Sequence, residues 1–188
     1  MKRPFVVGIS GGSASGKSTF CNVLEGALST LRIKTFHMDD YFKPEEKRPY
    51  AEAPITGNMY VDDNHPETID LLQMKADMDN GLKEDYDVVI VEGLLTLWDK
   101  EIYSRLDLKL FVDCRSDERI VRRLRRNMDW GLKFDEISNV YLDLVRYRHD
   151  EYVEPTKWKA DIILNGSCSS KLAVAAVVGL IEKSCSGL

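Results

Sequence analysis

Short runs of apolar residues alternate along the chain with longer amphipathic segments, a pattern that predicts buried strands separated by helices. The apolar runs predict five strands, at 5–9, 33–38, 87–93, 108–113 and 161–164. The amphipathic segments predict helices at about 20–31, 66–80, 115–127, 135–152 and 170–183. Because strands that alternate with helices form parallel sheets, we expect an α/β fold with a doubly wound five-stranded parallel sheet. Ligands bind such sheets at the carboxyl ends of the strands.

A glycine-rich sequence links the first predicted strand to the first predicted helix. Residues 11–18 match the phosphate-binding pattern G-x-x-x-x-G-K-[ST] in full, which is typical of P-loop NTPases. Glycines let successive backbone N–H groups turn toward phosphate oxygens at the start of a helix. We expect Lys17 to reach the β- and γ-phosphates of ATP, and the Ser18 hydroxyl to bind Mg²⁺. The residues expected to hold the nucleotide are Gly11, Gly12, Ser13, Ala14, Ser15, Gly16, Lys17, Ser18 and Thr19.

Carboxylates stand at the ends of the second and third predicted strands, on the same edge of the sheet as the phosphate-binding loop. Phosphoryl transfer requires a metal near the phosphates and a residue that orients and deprotonates the attacking hydroxyl. Asp39 is placed where an acceptor would approach the γ-phosphate, so we assign it as the catalytic base, with Asp40 as the competing candidate. Glu92 ends the most apolar strand, where an uncompensated carboxylate would be costly, and we expect it to bind Mg²⁺ directly or through water.

An arginine-rich segment follows the fourth predicted strand. Helical spacing places four of its side chains on one broad face, with Ile120, Val121 and Leu124 toward the core; the four are Arg119, Arg122, Arg123 and Arg126. A solvated helix face is the ordinary interpretation of such a charge run. Six arginines against two acids over 115–127, in an acidic protein, favour phosphate contacts instead. We therefore expect a mobile lid over ATP, with Arg123 and Arg126 as its leading catalytic candidates.

Composition limits the classes of function. The net charge of −5 argues against nucleic acid as a partner and favours a small-molecule substrate. No run approaches 18 apolar residues, so we expect no membrane association. Since the first four residues lead straight into a predicted core strand, we also expect them not to be a cleavable signal peptide. Four cysteines without C-x-x-C spacing fit reduced thiols in the cytoplasm. We expect one domain over 1–188, with an acceptor-binding region at about 40–82 and the lid at about 115–135.

Further motifs follow the phosphate-binding loop in a fixed order over nearly the whole chain. They are Asp39-Asp40-Tyr41-Phe42, Asn64-His65-Pro66-Glu67, Val91-Glu92-Gly93, Arg122-Arg123-Leu124-Arg125-Arg126-Asn127 and residues 151–161. Together they resemble the uridine kinase and nicotinamide riboside kinase group. The resemblance implies ATP-dependent phosphorylation of a ribosyl 5′-hydroxyl, with Asp39 as base, Ser18 and Glu92 around Mg²⁺, and arginines in the lid. On the acceptor side it implies contacts from Asp39, Tyr41, Phe42, Asn64 and His65.

Two departures from the pattern of these relatives bear on the acceptor. Where the relatives carry an aspartate that holds the ribose diol, this chain has Asn64, whose amide can still donate and accept hydrogen bonds. The hairpin with which uridine kinases recognise the pyrimidine has no room here, because the chain passes from Gly81 to Asp87 in six positions. A replacement stacking surface has four candidates, each equally compatible with ordinary packing: Tyr50, Tyr60, His65 and Trp130. The lid also has Leu132-Lys133 where the uridine kinases carry a glycine-linked arginine.

Three hypotheses about function are compatible with the sequence. The first is a small-molecule kinase acting on a ribonucleoside, nicotinamide riboside or another primary alcohol. The second is a P-loop ATPase or GTPase that works as a regulator, although no N/T-K-x-D guanine-binding motif is present. The third is a catalytically weakened relative that only binds nucleotide. The sequence leaves open the acceptor, the choice between ATP and GTP, and whether the chain forms a homo-oligomer.

Overall fold

Five parallel strands form the central sheet of this protein, whose computed structural model describes residues 3–168 and 170–186. The strands in this part of the chain are β1 (Phe5–Gly11), β2 (Ile33–His37), β3 (Tyr50–Glu52), β4 (Met59–Val61), β5 (Val88–Glu92), β6 (Leu108–Asp113) and β7 (Ile162–Asn165). The sheet has the order β2-β5-β1-β6-β7, with every neighbouring pair parallel. The predicted doubly wound sheet is confirmed. An antiparallel hairpin of β3 and β4 lies apart from it.

Helices cover both faces of the sheet. They are α1 (Lys17–Ala27), α2 (Leu71–Gly81), α3 (Lys100–Arg105), α4 (Ser116–Asp129), α5 (Phe134–Val140), α6 (Arg146–Arg148) and α7 (Lys171–Ser186). Successive strand side chains point to opposite faces, so β5 contributes Val88 and Ile90 to one core and Val89 and Val91 to the other. The first core includes α1 and α7, and the second includes α2 and α3. No helix in the described ranges is long and apolar enough to cross a membrane.

The carboxyl ends of the strands meet at one edge, which gathers the residues of the phosphate chemistry. β1 is the central strand, and its Ile9 pairs with Glu92 of β5 on one side and Leu110 of β6 on the other. The chain leaves β1 toward β2 on one side and later reaches β6 and β7 on the other. The phosphate-binding loop therefore opens at the point where the strand order reverses, which is where such sheets bind ligands.

Three predicted helices differ from the structure in their boundaries, and α3 was not predicted. The helix predicted at about 20–31 is α1, which begins at Lys17 and ends at Ala27. The helix predicted from residue 66 starts at Leu71, because Pro66–Thr68 is a separate 3₁₀ turn and Asp70 caps α2 by accepting from the Gln73 N–H at 3.0 Å. The helix predicted over 135–152 is interrupted by two wide π turns. It runs as α5, a π turn at Tyr141–Val145, α6, a π turn at His149–Val153 and a 3₁₀ segment at Glu154–Lys159.

The hairpin of β3 and β4 occupies the stretch predicted as a loop. Three donors of this hairpin converge on one carboxylate oxygen, Oδ2 of Asp143, in the first π turn. The Thr56 hydroxyl and the Tyr60 hydroxyl each donate at 2.8 Å, and the Asn58 amide donates at 3.4 Å. These hydrogen bonds lower the pKa of Asp143, so the carboxylate that holds the hairpin stays ionised.

A histidine begins the second π turn and braces the phosphate-binding loop from behind. A Cβ built on Gly12 would lie 2.6 Å from Arg119 Nη1 and 2.9 Å from His149 Cε1, so both side chains pack on the loop backbone. Burial and then the charge of Arg119 lower the pKa of His149 to about 4, against the nearby carboxylates of Asp113 and Asp150. His149 Nε2 also lies 3.2 Å from Glu154 Oε2. The ring is therefore neutral when folded at neutral pH.

Acid should destabilise the fold through His149. The unfolded chain takes up this proton near the ordinary pKa of 6.5, but the folded chain does so only near 4. The stability of the neutral ring is therefore complete above pH 6.5 and is lost as the pH falls, by about 2 kcal/mol at pH 5. We expect His149→Gln to show a correspondingly smaller drop in the free energy of unfolding between pH 7.5 and 5, measured in urea. A drop equal to that of the wild type would contradict this assignment.

Candidate active site

The phosphate-binding loop folds as an open cradle of backbone N–H groups at the start of α1. Gly16 is the residue before the helix, and its φ of 100° is a left-handed conformation that favours glycine. Ala14 also has a positive φ, of 62°, and the Ser15 N–H closes a turn by donating to the Gly12 carbonyl at 3.0 Å. No side chain caps the start of α1. Its N–H groups therefore remain available to an anion, as phosphate binding at a helix N-terminus requires.

A buried carboxylate ends β5 directly beside this cradle. Lys17 Nζ lies 3.2 Å from Oε1 of Glu92, and the Ser18 hydroxyl donates to the same oxygen at 3.1 Å. On the other side, His37 Nδ1 lies 2.9 Å from Oε2. Burial opposes ionisation of Glu92, whose side chain is only 4% exposed, but the Lys17 charge and the hydrogen bonds from His37, Lys17 and Ser18 hold its pKa below the ordinary value. Glu92 is thus an anion with three partners.

The oxygens of Ser18 and Glu92 fit a Mg²⁺ site that is completed by substrate. Hydroxyl and carboxylate oxygens are hard ligands, and Mg²⁺ commonly takes one or two from the protein and the rest from phosphates and water. In the described part of the chain, no group of three or more His, Cys, Asp or Glu side chains is arranged to hold a metal alone. The donor set therefore suits a cation that arrives with a nucleotide. His37 was missed at the sequence level, because its partner lies 55 positions away.

Two arginines of α4 reach over the phosphate-binding loop. Arg123 Nη1 donates to the Ser13 hydroxyl at 3.0 Å, and Arg126 Nη2 lies 3.5 Å from the same oxygen. Burial lowers the pKa of both guanidinium groups, and the charge of Arg126 lowers that of Arg123 further. Arg123 Nε is buried without a partner in the described residues. Two neighbouring cations with donors to spare at this position fit an anionic ligand.

The other two arginines of the predicted face have structural partners. Arg119 is buried, and its Nε donates to the Cys114 carbonyl at 3.1 Å. Arg122 donates to the Gly166 carbonyl at 2.8 Å and thereby fixes the loop after β7. The prediction that Val121 faces the core is wrong, because its side chain is exposed, whereas Arg119 of the same helix is buried.

Two cavities meet at the phosphate-binding loop. One, of about 1130 Å³, runs between α1, β7 and the start of α7, and contains Ser18, Thr19 and the loop after β7. The other, of about 670 Å³, lies between the end of β2, the hairpin and the lid. Three residues line both: Lys17, Arg126 and Trp130. This shared boundary is where a group could pass between a nucleotide in the larger cavity and an acceptor in the smaller one.

Most of the predicted acceptor residues line the smaller cavity: Asp39, Phe42, Asn64 and His65. Asn64 is only 9% exposed, and its side-chain amide has no hydrogen-bond partner in residues 3–168 and 170–186. The Asp39 side chain is exposed at the cavity wall. Of the four stacking candidates, Tyr60, His65 and Trp130 line this cavity and Tyr50 does not.

Tyr41 is the predicted acceptor residue that the structure does not bring to the cavity. Its hydroxyl donates to Asp77 Oδ2 at 3.0 Å, in a separate depression beside β2. Asp40, the competing candidate for catalytic base, lines the same separate depression. The reason is the 3₁₀ turn at Met38–Tyr41, where successive side chains point in different directions, so that Asp39 and Phe42 face the cavity and the two residues between them do not.

A buried ion pair positions the segment that carries Asn64. Asp62 is fully buried, and Arg148 Nε donates to its Oδ2 at 2.6 Å. The other oxygen of Asp62 accepts from the Asn64 N–H at 3.2 Å. Arg148 lies in α6 and thus connects the helical segment at 134–159 to the turn that contains Asn64. No local sequence pattern links Arg148 to Asp62, because the two residues are 86 positions apart.

Comparison with known proteins gives one family over most of the chain. The sequence profile of the Phosphoribulokinase / Uridine kinase family matches residues 73–173. A uridine kinase from Clostridium botulinum is 33% identical over 201 residues, which cover 97% of this chain and 98% of that protein. A uridine kinase from Staphylococcus aureus is 32% identical over 206 residues, covering 97% of each chain. These matches are long and exceed what the phosphate-binding loop alone would give.

Solved structures agree with the fold. One from Bacillus stearothermophilus, described as a possible uridine kinase, has a TM-score of 0.55 at 22% identity and covers 88% of this chain and 90% of its own. A Thermus thermophilus protein has a TM-score of 0.57 at 22% identity, covering 95% and 98%. At these identities the likeness shows the α/β fold alone.

The Glu92 cluster predicts a measurable metal affinity. Glu92→Gln keeps the size of the side chain but removes its charge, so we expect Mn²⁺ to bind the ADP complex about tenfold more weakly or worse. Electron paramagnetic resonance of free Mn²⁺ measures this directly. Glu46→Gln, at an exposed carboxylate that lines neither cavity, is the matched control and should bind Mn²⁺ as the wild type does. Equal Mn²⁺ affinity in both variants would refute the assignment of Glu92.

Proposed function

The chain belongs to the phosphoribulokinase/uridine kinase family, and we propose that it transfers the γ-phosphate of Mg-ATP to the primary 5′-hydroxyl of a ribonucleoside. One observation carries the proposal: a phosphate-binding loop and an acceptor-sized cavity share a boundary at Lys17, with Asp39 on the acceptor side. A nucleotide-binding regulator has no need for a second cavity at this position. A small-molecule kinase requires one.

The residues at the boundary have distinct tasks in this reaction. Asp39 orients the acceptor hydroxyl and accepts its proton as the oxygen attacks the γ-phosphorus. Lys17, Arg123 and Arg126 stabilise negative charge on the transferred group, because all three line the acceptor cavity next to the phosphate-binding loop. Ser18 and Glu92 would hold the metal. When bound, Mg²⁺ neutralises charge on the β- and γ-phosphate oxygens.

The lining of the acceptor cavity suits an acceptor in which a flat group, uncharged or cationic, is attached to a polyol. Asn64 offers an unused amide, which suits the ribose hydroxyls, and Phe42 and Tyr60 offer aromatic surface. Four carboxylates line the cavity, Asp39, Glu45, Asp63 and Glu136, against three cations that the transferred phosphate would engage, Lys17, Arg123 and Arg126. A carboxylate-bearing acceptor is therefore disfavoured. The same acids favour nicotinamide riboside, whose ring is cationic, as the second candidate acceptor.

An acceptor screen tests the proposal. Purified protein with Mg-ATP is assayed for ADP release with uridine, cytidine, nicotinamide riboside and pantothenate, the last as the carboxylate-bearing control. We expect release to depend on a nucleoside and to be absent with pantothenate. Release without any acceptor would favour an ATPase, and silence with every nucleoside despite ATP binding would reject the proposal. We place this ATP-dependent reaction in the cytoplasm, in keeping with the expectation from the sequence.

The base assignment predicts a separation of binding from turnover. Asp39→Asn should lower kcat by about 10²–10⁴-fold with little change in ATP affinity, because the amide cannot accept the hydroxyl proton. Asp40→Asn is the matched control, one residue away on the exposed side of the same turn, and should retain nearly full activity. Steady-state kinetics and ATP titration measure both quantities. If Asp40→Asn were the inactive variant, the roles of the two residues would be reversed.

A further inference from the structure

Trp130 occupies an unusual position at the tip of the lid. Its side chain is 68% exposed, yet it lines both the nucleotide cavity and the acceptor cavity. Lys17 and Arg126 are the other residues common to both linings, and they carry charge. Trp130 is therefore the apolar part of the shared boundary. An exposed indole at this place has surface that two ligands can cover at once.

The backbone holds Trp130 in place by a defined helix ending. Trp130 closes α4, and Gly131 follows with a φ of 95°. The Gly131 N–H donates to the Met128 carbonyl at 2.9 Å, and the Leu132 N–H donates to the Asn127 carbonyl at 3.1 Å. This pair of hydrogen bonds is a Schellman motif, which ends a helix and fixes the direction of the chain beyond it. The indole is thus presented from an ordered turn.

Trp130 is also linked to the phosphate-binding loop. The Arg126 guanidinium lies 5.0 Å from the centre of its ring, within range of a cation–π interaction. The same guanidinium lies 3.5 Å from the Ser13 hydroxyl. A phosphate bound by Arg126 would therefore lie beside the indole, at the boundary with the acceptor cavity.

We propose that Trp130 is a specificity-determining residue that couples the two cavities, an inference that rests on the proposed kinase function. Its indole covers the γ-phosphate during transfer and keeps water away from it. Because the nucleotide and the acceptor both contact the indole, binding of either one strengthens binding of the other. In the productive reaction the γ-phosphorus forms a bond to the acceptor oxygen, its bond to the β-phosphate oxygen of ADP breaks, and the hydroxyl proton passes to Asp39. In the competing reaction a water oxygen takes the acceptor's place and inorganic phosphate leaves.

Trp158 provides a matched control on the same chain. It is 79% exposed, and Lys157 Nζ lies 5.7 Å from the centre of its ring, so it has a similar solvent exposure and a similar cationic neighbour. It lines neither cavity. Since both indoles are exposed, Trp130→Ala, Trp130→Phe and Trp158→Ala should all keep the fold, which circular dichroism checks.

Three measurements compare these variants. Titration with a non-hydrolysable Mg-ATP analogue should change tryptophan fluorescence in the wild type and in Trp158→Ala, but not in Trp130→Phe. Saturating uridine should tighten binding of the analogue about tenfold in the wild type and in Trp158→Ala, and by less than about twofold in Trp130→Ala. Hydrolysis of ATP without acceptor should rise severalfold in Trp130→Ala only, with a higher KM for the acceptor in the full reaction.

The outcomes separate this inference from the proposed function. If no nucleoside accepts phosphate, the proposed function fails. The analogue titration and the measurement of ATP hydrolysis without acceptor still test the role proposed for Trp130. If Trp130→Ala keeps wild-type coupling and wild-type hydrolysis without acceptor, the inference is overturned. Equal effects of the Trp130 and Trp158 variants would also overturn it, because they would show a general effect of losing an exposed indole.

Discussion

Glu92 carries a negative charge at the end of a central strand, where water scarcely reaches it, and three side chains from two elements of the fold keep that charge stable. The helix after the phosphate-binding loop supplies Lys17 and Ser18, and the end of β2 supplies His37. Removing one partner of a buried ion pair leaves an uncompensated charge, at a cost of about 3–5 kcal/mol. The strand order that places β5 between β1 and β2 is therefore also the order that makes this charge tolerable.

The part of the site around the phosphate-binding loop and the ends of β2 and β5 could be predicted from the sequence. The phosphate-binding loop is a contiguous motif, and each predicted strand ends where its apolar run ends, so the edge of the sheet follows from a local pattern. Once parallel strands are assumed, Asp39 and Glu92 must lie on one edge. Their neighbours are less predictable: a single histidine at the end of a predicted strand, such as His37, has many ordinary explanations.

The acceptor half was less predictable, because it depends on pairs that are distant along the chain. Arg148 and Asp62 are 86 positions apart, and Tyr60 and Asp143 are 83 apart. Tyr41, predicted among the acceptor residues, lies in a separate depression for a different reason: in a 3₁₀ turn of four residues adjacent side chains point in different directions, and no periodicity can be read over so short a segment. The hairpin of β3 and β4 stayed hidden because its strands are three residues each.

The helical segment at 134–159 contains two π turns, at Tyr141–Val145 and His149–Val153. A π turn holds more residues than a turn of α-helix, so the segment is shorter than its residue number alone would predict. Each wide turn accommodates a residue that a regular helix would push onto the next face. Between them, α6 presents Arg148 to Asp62, and the following turn presents His149 to the phosphate-binding loop. Because Arg148 and His149 are adjacent, this segment braces the acceptor side and the phosphate side of the site from a single point. An insertion or deletion of one residue in the first π turn would therefore shift both contacts together.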